Sequence, residues 1–232
     1  MSKLDFEKHF LTGIDEYILR VRQSIPGRDA LFLIARCCLE NKLSAYAKIL
    51  VIGAGGGEEI ISLGKHNAGW QFVGVDLSEE MLKLAESRIK KEGLVNEVQL
   101  YKMEVIDLEN KNFDAATCIL TLHFIPDDGA KLATLQAIRE RLKPNAPFVL
   151  VDGAASRNKA EFNDNVMAWK RHAQNNGMTV ELLDSMIEKA MGLPFVTEER
   201  EVELLTEAGF SRIRKIYQGT WFNGWLSVCE KS

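Results

Sequence analysis

Proline and histidine are scarce in this 232-residue chain, at five and four residues, and cysteine numbers only four. None of the cysteines (Cys37, Cys38, Cys118, Cys229) stands in a CxxC pair or at zinc-ligand spacing from a histidine. That excludes a zinc finger or ribbon and a thioredoxin-type redox motif. Each cysteine lies in an apolar context and reads as a buried reduced thiol. No apolar run approaches the ~20 residues of a membrane-spanning helix. The N-terminus, MSKLDFEKHF, lacks the basic-then-apolar pattern of a secretory signal, so a cytoplasmic location is expected. Positive charge is not in excess either. The formal net charge is −4, which gives no global attraction to nucleic acid or to an anionic membrane, and neither partner is expected.

What is present is an ordinary globular mixture, with 46% hydrophobic and 27% charged residues and no repeat or low-complexity tract. From Ala47 to about Asp152, short runs rich in Val, Ile and Leu (KILVIGA, FVGVD, VQLYKM, FDAATCIL, FVLVDG) alternate with helical stretches. Several runs are nearly continuous in apolar residues, as strands covered on both faces should be. The clearest helix spans Ser78 to Glu92: Ser78 caps it, Glu79 and Glu80 fill its first turn, and Lys90 and Lys91 its last. Its apolar stripe is Met81, Leu82, Ala85 and Ile89. The end of the chain breaks the rhythm, with IRKIYQGTWF and GWLSVCEK reading as two strands turning at Asn223-Gly224. The expected fold class is therefore α/β: a seven-stranded Rossmann-like sheet, mostly parallel, finished by a C-terminal antiparallel hairpin. Residues 1–44 read as an N-terminal helical cap broken at Pro26-Gly27, and residues 45–232 as the nucleoside-binding domain. Within it, residues 157–192 read as two helices inserted as a lid, with core packing as the plainer alternative.

The first strand runs into four glycines within five residues, in VIGAGGGEE. Gly53 and Gly55 match the dinucleotide pattern GxGxxG, but its third glycine position holds Glu58. Glu58 and Glu59 at a helix N-terminus would repel a pyrophosphate, and no GK[ST] follows to make a Walker loop. A nucleoside without phosphates fits better. Asp76, ending the second strand 23 residues after Gly53, is placed to accept both ribose hydroxyls.

With these features the chain resembles the class I S-adenosylmethionine-dependent methyltransferases over roughly its whole length. The resemblance rests on VIGAGGGE, VGVDLSEEML, KMEVIDLE, LTLHFIPDD, LKPNAPFVLVD and LLTEAGF. It implies S-adenosyl-L-methionine as cofactor, approached closely by Gly53, Gly55 and Gly57, with Asp76 on the ribose. It also implies Leu77 and Met81 packed on adenine, and Glu104 with the Val105 backbone at the adenine amino group. The acid that such proteins carry two residues before the first glycine is Val51 here.

Within the superfamily the chain is most similar to carboxy-S-adenosylmethionine synthases, which feed tRNA wobble-uridine modification. RQSIPGRDALFLIA, LTLHFI, AWKRHAQNNGMT and YQGTWFNGWLSVCEK carry that likeness. Three positions depart from it: Arg28 replaces a tyrosine, Ile119 an asparagine at the cofactor, and Leu204 an arginine that binds the extra carboxylate. Arg28 is expected to bind the methionine carboxylate bidentately, the alternative being a solvated partner of Asp29.

Methyl transfer needs positioning and, for a protic acceptor, a base. His123, just after the fourth strand, is the candidate base, with packing beside Phe124 as the alternative. Trp169, His172 and Trp221 are candidates for the acceptor pocket, together with Phe222 and Trp225. Asp152, ending the fifth strand, is a further candidate. His66 reads as solvent-exposed and His9 as undistinguished. Asp127 and Asp128 are adjacent but have no companions for a metal site, and none is expected. The expected function is methylation of a small-molecule acceptor, with carboxy-S-adenosylmethionine synthesis or non-catalytic nucleoside binding as alternatives; a homodimer is plausible.

Overall fold

The computed structural model describes residues 14–154 and 160–230. His9 and the first part of the expected lid lie outside them. Two helices open the described chain, α1 (Ile14–Ser24) and α2 (Arg28–Glu40). Then follow β1 (Lys48–Ile52), α3 (Glu58–Gly64), β2 (Gln71–Asp76), α4 (Glu79–Lys91), β3 (Val98–Lys102) and β4 (Ala115–Ile119). The second half comprises α5 (Ala130–Arg141), β5 (Pro147–Gly153), α6 (Glu161–Asn175), α7 (Val180–Met191), α8 (Glu198–Glu207), β6 (Phe210–Gly219) and β7 (Phe222–Cys229). Ser78 caps α4 as its sequence suggests, its Oγ accepting from the Met81 amide at 3.3 Å.

The seven strands form one sheet in the order β3-β2-β1-β4-β5-β7-β6. Strands β1 to β5 are parallel to one another, and β7 runs antiparallel to both β5 and β6. Strands β4 and β5 are buried at every residue, which is why their sequences show no polar alternation. On one face Leu31, Phe32 and Leu39 of α2 and Ile60 and Leu63 of α3 close the core. On the other, Leu135 and Ile138 of α5 and Leu204 and Leu205 of α8 do the same. Between β1 and β4 the chain order reverses, so their C-terminal ends open the crevice where ligands of such sheets bind.

Two expectations change. The C-terminal hairpin is there, but Gly219 pairs with Phe222, so its turn is Thr220-Trp221, and Asn223-Gly224 lies inside β7. Thr220 takes the positive φ of 58° that the turn requires. Gly224 has a different duty: a Cβ there would come within 2.9 Å of the Tyr217 Cβ and 3.3 Å of Val151 Cγ2. The glycine is kept for strand packing, a demand that looks like turn chemistry in one dimension. The cysteines also divide. Cys118 and Cys229 are buried, whereas Cys37 is exposed on the outer side of α2, and all four are free thiols.

Gly224→Ala is expected to destabilise the protein by about 1–3 kcal/mol through overpacking, measured by chemical denaturation. Unchanged stability would mean that Tyr217 moves aside freely.

Candidate functional site

The glycine loop leaves β1 with Gly53, Gly55 and Gly57 all at positive φ (69°, 43° and 75°). At Gly53 a side chain is impossible on steric grounds as well, because its Cβ would lie 1.9 Å from Thr121 Oγ1. Thr121 follows β4 and opens the short 3-10 turn Leu122–Phe124, so the loop and that turn touch across the crevice. Asp76, ending β2, fixes the far side of the loop: Oδ2 accepts from the Gly55 amide at 2.8 Å and Oδ1 from the Ser78 amide at 2.9 Å. Beside it Leu77 is 57% exposed, an unusual position for a leucine, while Met81 is buried against Gly55. Glu104 is half-buried at the end of β3, and Val105 points into the core. Ile106, which the motif reading passed over, is 54% exposed. Leu77 and Ile106 thus stand as two bare apolar side chains at the ends of the neighbouring strands β2 and β3.

The acids of α3 are not the repulsive pair that their sequence suggests. Glu58 binds Arg28 at 2.7 Å, Arg88 at 2.5 Å and Arg22 at 3.3 Å. Burial alone would raise its pKa, but the hydrogen bonds and charges of Arg28 and Arg88 hold it down at about 2. Glu59 is 6% exposed, and burial, with the Asp76 charge adding to it, pushes its carboxyl up to about 8. One acid is neutralised by arginines and the other keeps its proton. The electrostatic objection to a phosphate therefore disappears, and the case for a phosphate-free nucleoside rests on the other motif residues. Arg28 is neither a free fork nor a solvated partner of Asp29 alone. Its guanidinium lies on Glu58 and over the Phe32 ring at 4.8 Å, with Nε buried and unpartnered.

Across the crevice, His123 is buried on the 3-10 turn, and its Nδ1 is hydrogen-bonded to Asp152 Oδ1. Its ring packs on Phe124 (4.4 Å between centroids) and on Phe195 (5.6 Å). Of the two sequence alternatives for His123, the packing beside Phe124 is present, joined by the hydrogen bond to Asp152. Beneath it lies a buried ammonium that the sequence did not announce. Lys131 of α5, with no exposed surface, donates to the carbonyls of Leu122 and Pro194 at 3.0 Å and to that of Ile125. It ties the His123 turn to the segment that carries Phe195. Burial lowers its pKa, and the charges of Asp152, Asp127 and Glu201 oppose that effect. Glu201 of α8 is 1% exposed and accepts from Trp225 Nε1 at 2.8 Å. Burial, with the Asp152 charge next, pushes it up to about 8. Ile119 is a buried core residue at the end of β4.

From Phe195 an aromatic chain continues to Trp221 (6.0 Å) and on to Trp169 (5.1 Å), with Phe162 and Phe222 also against Trp221. The apolar stripes of α6 and α7 close over it. Both indole N–H groups, of Trp169 and Trp221, are buried without a partner. Trp225 does not belong here: strand alternation sends it to the opposite core, under Glu201. Nor does His172 join the cluster, since its ring meets Asn176 past the end of α6. His66 is exposed, Asp127 pairs with Arg200, and Asp128 accepts from the Ala130 amide.

Residues 50–148 match the family model of a methyltransferase domain. That match spans under half of the chain. The chain is similar along most of its length to the carboxy-S-adenosyl-L-methionine synthase of Nautilia profundicola, at 25% identity over 96% of the chain and 92% of the relative. It is 30% identical to the ubiquinone biosynthesis O-methyltransferase of Idiomarina loihiensis over 53% of the chain and 45% of that protein. Its fold is shared with a SAM-dependent methyltransferase from Aquifex aeolicus, with a TM-score of 0.62 at 20% identity over 94% of this chain and all of the other. It is shared also with Haemonchus contortus phosphoethanolamine N-methyltransferase 2 in complex with S-adenosyl-L-methionine. There the TM-score is 0.68 at 16% identity, over the whole of this chain and 60% of the other. The crevice offers a nucleoside a carboxylate at the loop, two bare apolar side chains for a base, and a glycine that admits no side chain. Among the described residues no helix is long and apolar enough to cross a membrane.

Between its ordinary value and about 8, folded Glu201 holds a proton that the unfolded chain has lost, so its contribution to stability falls as pH rises through that window. Glu201→Gln, which keeps an acceptor for Trp225, is expected to raise the thermal midpoint at pH 9 and to leave it nearly unchanged at pH 4. An equal change at both pH values would contradict a protonated Glu201.

Proposed function

We propose that this methyltransferase moves a methyl group from S-adenosylmethionine to a hydroxyl oxygen of a small aromatic acceptor, with His123 as general base. The observation that carries this reading is the His123–Asp152 pair at the ends of β4 and β5. Asp152 accepts from Nδ1–H, which fixes the tautomer and leaves the Nε2 lone pair to take a proton. A hydroxyl acceptor must lose a proton as its oxygen is methylated, whereas the sulfonium of the cofactor supplies an electrophilic methyl on a group that leaves unaided. Phe195, Trp221 and Trp169 continue from His123 as a wall of ring faces suited to a planar acceptor. The orphan indole donors suit an acceptor with a second oxygen atom to accept from them. Helices α6 and α7 serve as the lid, over a cofactor domain that spans residues 45–232. The partial likeness to ubiquinone biosynthesis O-methyltransferases agrees with oxygen as the target.

On the cofactor side, Asp76 holds the ribose hydroxyls, and Leu77 and Ile106 sandwich the adenine, with Glu104 at its amino group. Arg28, beside the loop, remains our candidate for the methionine carboxylate, reached by exchange with Glu58. Carboxy-S-adenosylmethionine synthesis is the second reading, favoured by the near full-length likeness to those enzymes. Against it stands Leu204, which puts an apolar side chain in the core facing α5 where those enzymes have an arginine.

Asp76→Asn is expected to weaken S-adenosylmethionine binding on the order of tenfold or more in calorimetric titration. His123→Gln should leave that binding intact and lower kcat about 100-fold or more in an assay with hydroxylated aromatic acceptors. Mass spectrometry of the products separates the readings: a methylated acceptor supports ours, a carboxylated cofactor the second. Full turnover by His123→Gln would remove His123 as the base.

A further inference from the structure

Glu59 has no part in the account so far. It is a buried carboxyl whose Oε1 has no hydrogen-bond partner. Its location is defined from three sides. It follows directly on Glu58 and the glycine loop, in the first turn of α3. Thr117 of β4 lies beside it, and Thr117 is in register with Val51 of β1, so the carboxyl lies over the last residues of these two central strands. The Asp76 charge reaches it from β2. Val51, on the strand beneath, offers no charge. The cofactor of this family brings a cation into such a place, because its amino-acid portion carries an ammonium group.

We propose that Glu59 is the anionic partner of the cofactor's ammonium group, supplied from helix α3 below the glycine loop. The proposal rests on S-adenosylmethionine as the cofactor and adds a residue to its binding. The Thr117 hydroxyl favours the carboxylate less than burial opposes it, so the acid stays protonated; a cation brought to its free Oε1 displaces that proton and gives the ion pair. The groups that bear on Glu59 are Asp76 from β2, the Cys118 thiol from β4 and Glu58 on its own helix. Glu58 is already neutralised by Arg28 of α2, Arg88 of α4 and Arg22 of α1. Asp76 is held by two amides at the loop, whereas Glu59 keeps a proton that a bound cation displaces. The sign follows: near pH 7 binding releases a proton, and affinity rises with pH until Glu59 is ionised without ligand, at about 8.

The test is calorimetric titration of the full chain at pH 7, in two buffers of different ionisation enthalpy. The ligands are S-adenosylhomocysteine, which has the ammonium group, and 5′-methylthioadenosine, which shares the nucleoside but lacks the amino-acid portion. Wild type is expected to release protons on binding S-adenosylhomocysteine. Glu59→Gln should abolish that release and weaken S-adenosylhomocysteine roughly 10- to 100-fold, with 5′-methylthioadenosine unaffected. Unchanged S-adenosylhomocysteine affinity in Glu59→Gln would overturn the proposal. So would equal weakening of both ligands, which would mark Glu59 as a support of the loop. Proton uptake, the sign for a Glu59 that donates to the ligand's carboxylate, would overturn it too. Failure of wild type to bind either nucleoside would overturn the cofactor assignment itself, and Glu59 with it.

Discussion

Thr121 fills the space that a side chain at Gly53 would need, and this contact joins the two halves of the crevice. On one side is the glycine loop, held further by the Asp76 carboxylate on the Gly55 amide. On the other is the short turn that begins at Thr121 and carries His123. Any side chain at Gly53 would separate loop from turn by the width of a methyl group or more. That distance matters in a displacement reaction, where misplacement of about 1 Å costs far more than a lost contact. The glycine serves less to admit a ligand than to let two loops from adjacent strands meet.

Around that contact the fold spends stability on charge. Glu59, Asp152, Lys131 and Glu201 are all buried near the ends of the central strands, where apolar residues would pack without desolvation cost. Each has a distinct solution. Lys131 is surrounded by backbone carbonyls, Asp152 holds an imidazole, and Glu59 and Glu201 retain protons. Lys131 reaches two segments far apart in sequence, the His123 turn and Pro194, so one buried ammonium positions both a histidine and the phenylalanine packed on it. Such concentration of ionisable groups is characteristic of sites that move protons.

Much of this was legible in one dimension because its causes are local. Continuous apolar runs gave β4 and β5, the Ser78 cap and charge pattern gave α4, and positive-φ glycines gave the loop. The two helices expected within residues 157–192 are there as α6 and α7, and their apolar faces build the third cluster together with Met178 and Trp221. Failures occurred where a residue answers to a neighbour distant in sequence. Asn223-Gly224 has the composition of a turn, yet Gly224 is small because Tyr217 and Val151 crowd it. Trp225 and Trp221 are four residues apart but lie in different cores, because the turn at Thr220-Trp221 sets which residues of β7 face which side.

The sequence by itself determined the sheet, the order of its elements, the glycine loop and the acid that closes it, since hydrophobic period, capping and backbone conformation are properties of neighbouring residues. Only the tertiary structure decided the charge states and the partnerships. Glu58 and Glu59 are adjacent and chemically identical, yet one meets three arginines while the other meets the protein interior. His123 and Asp152 become a pair because parallel strands β4 and β5 end side by side. Electrostatics depends on distance and dielectric through space, and neither is written along the chain.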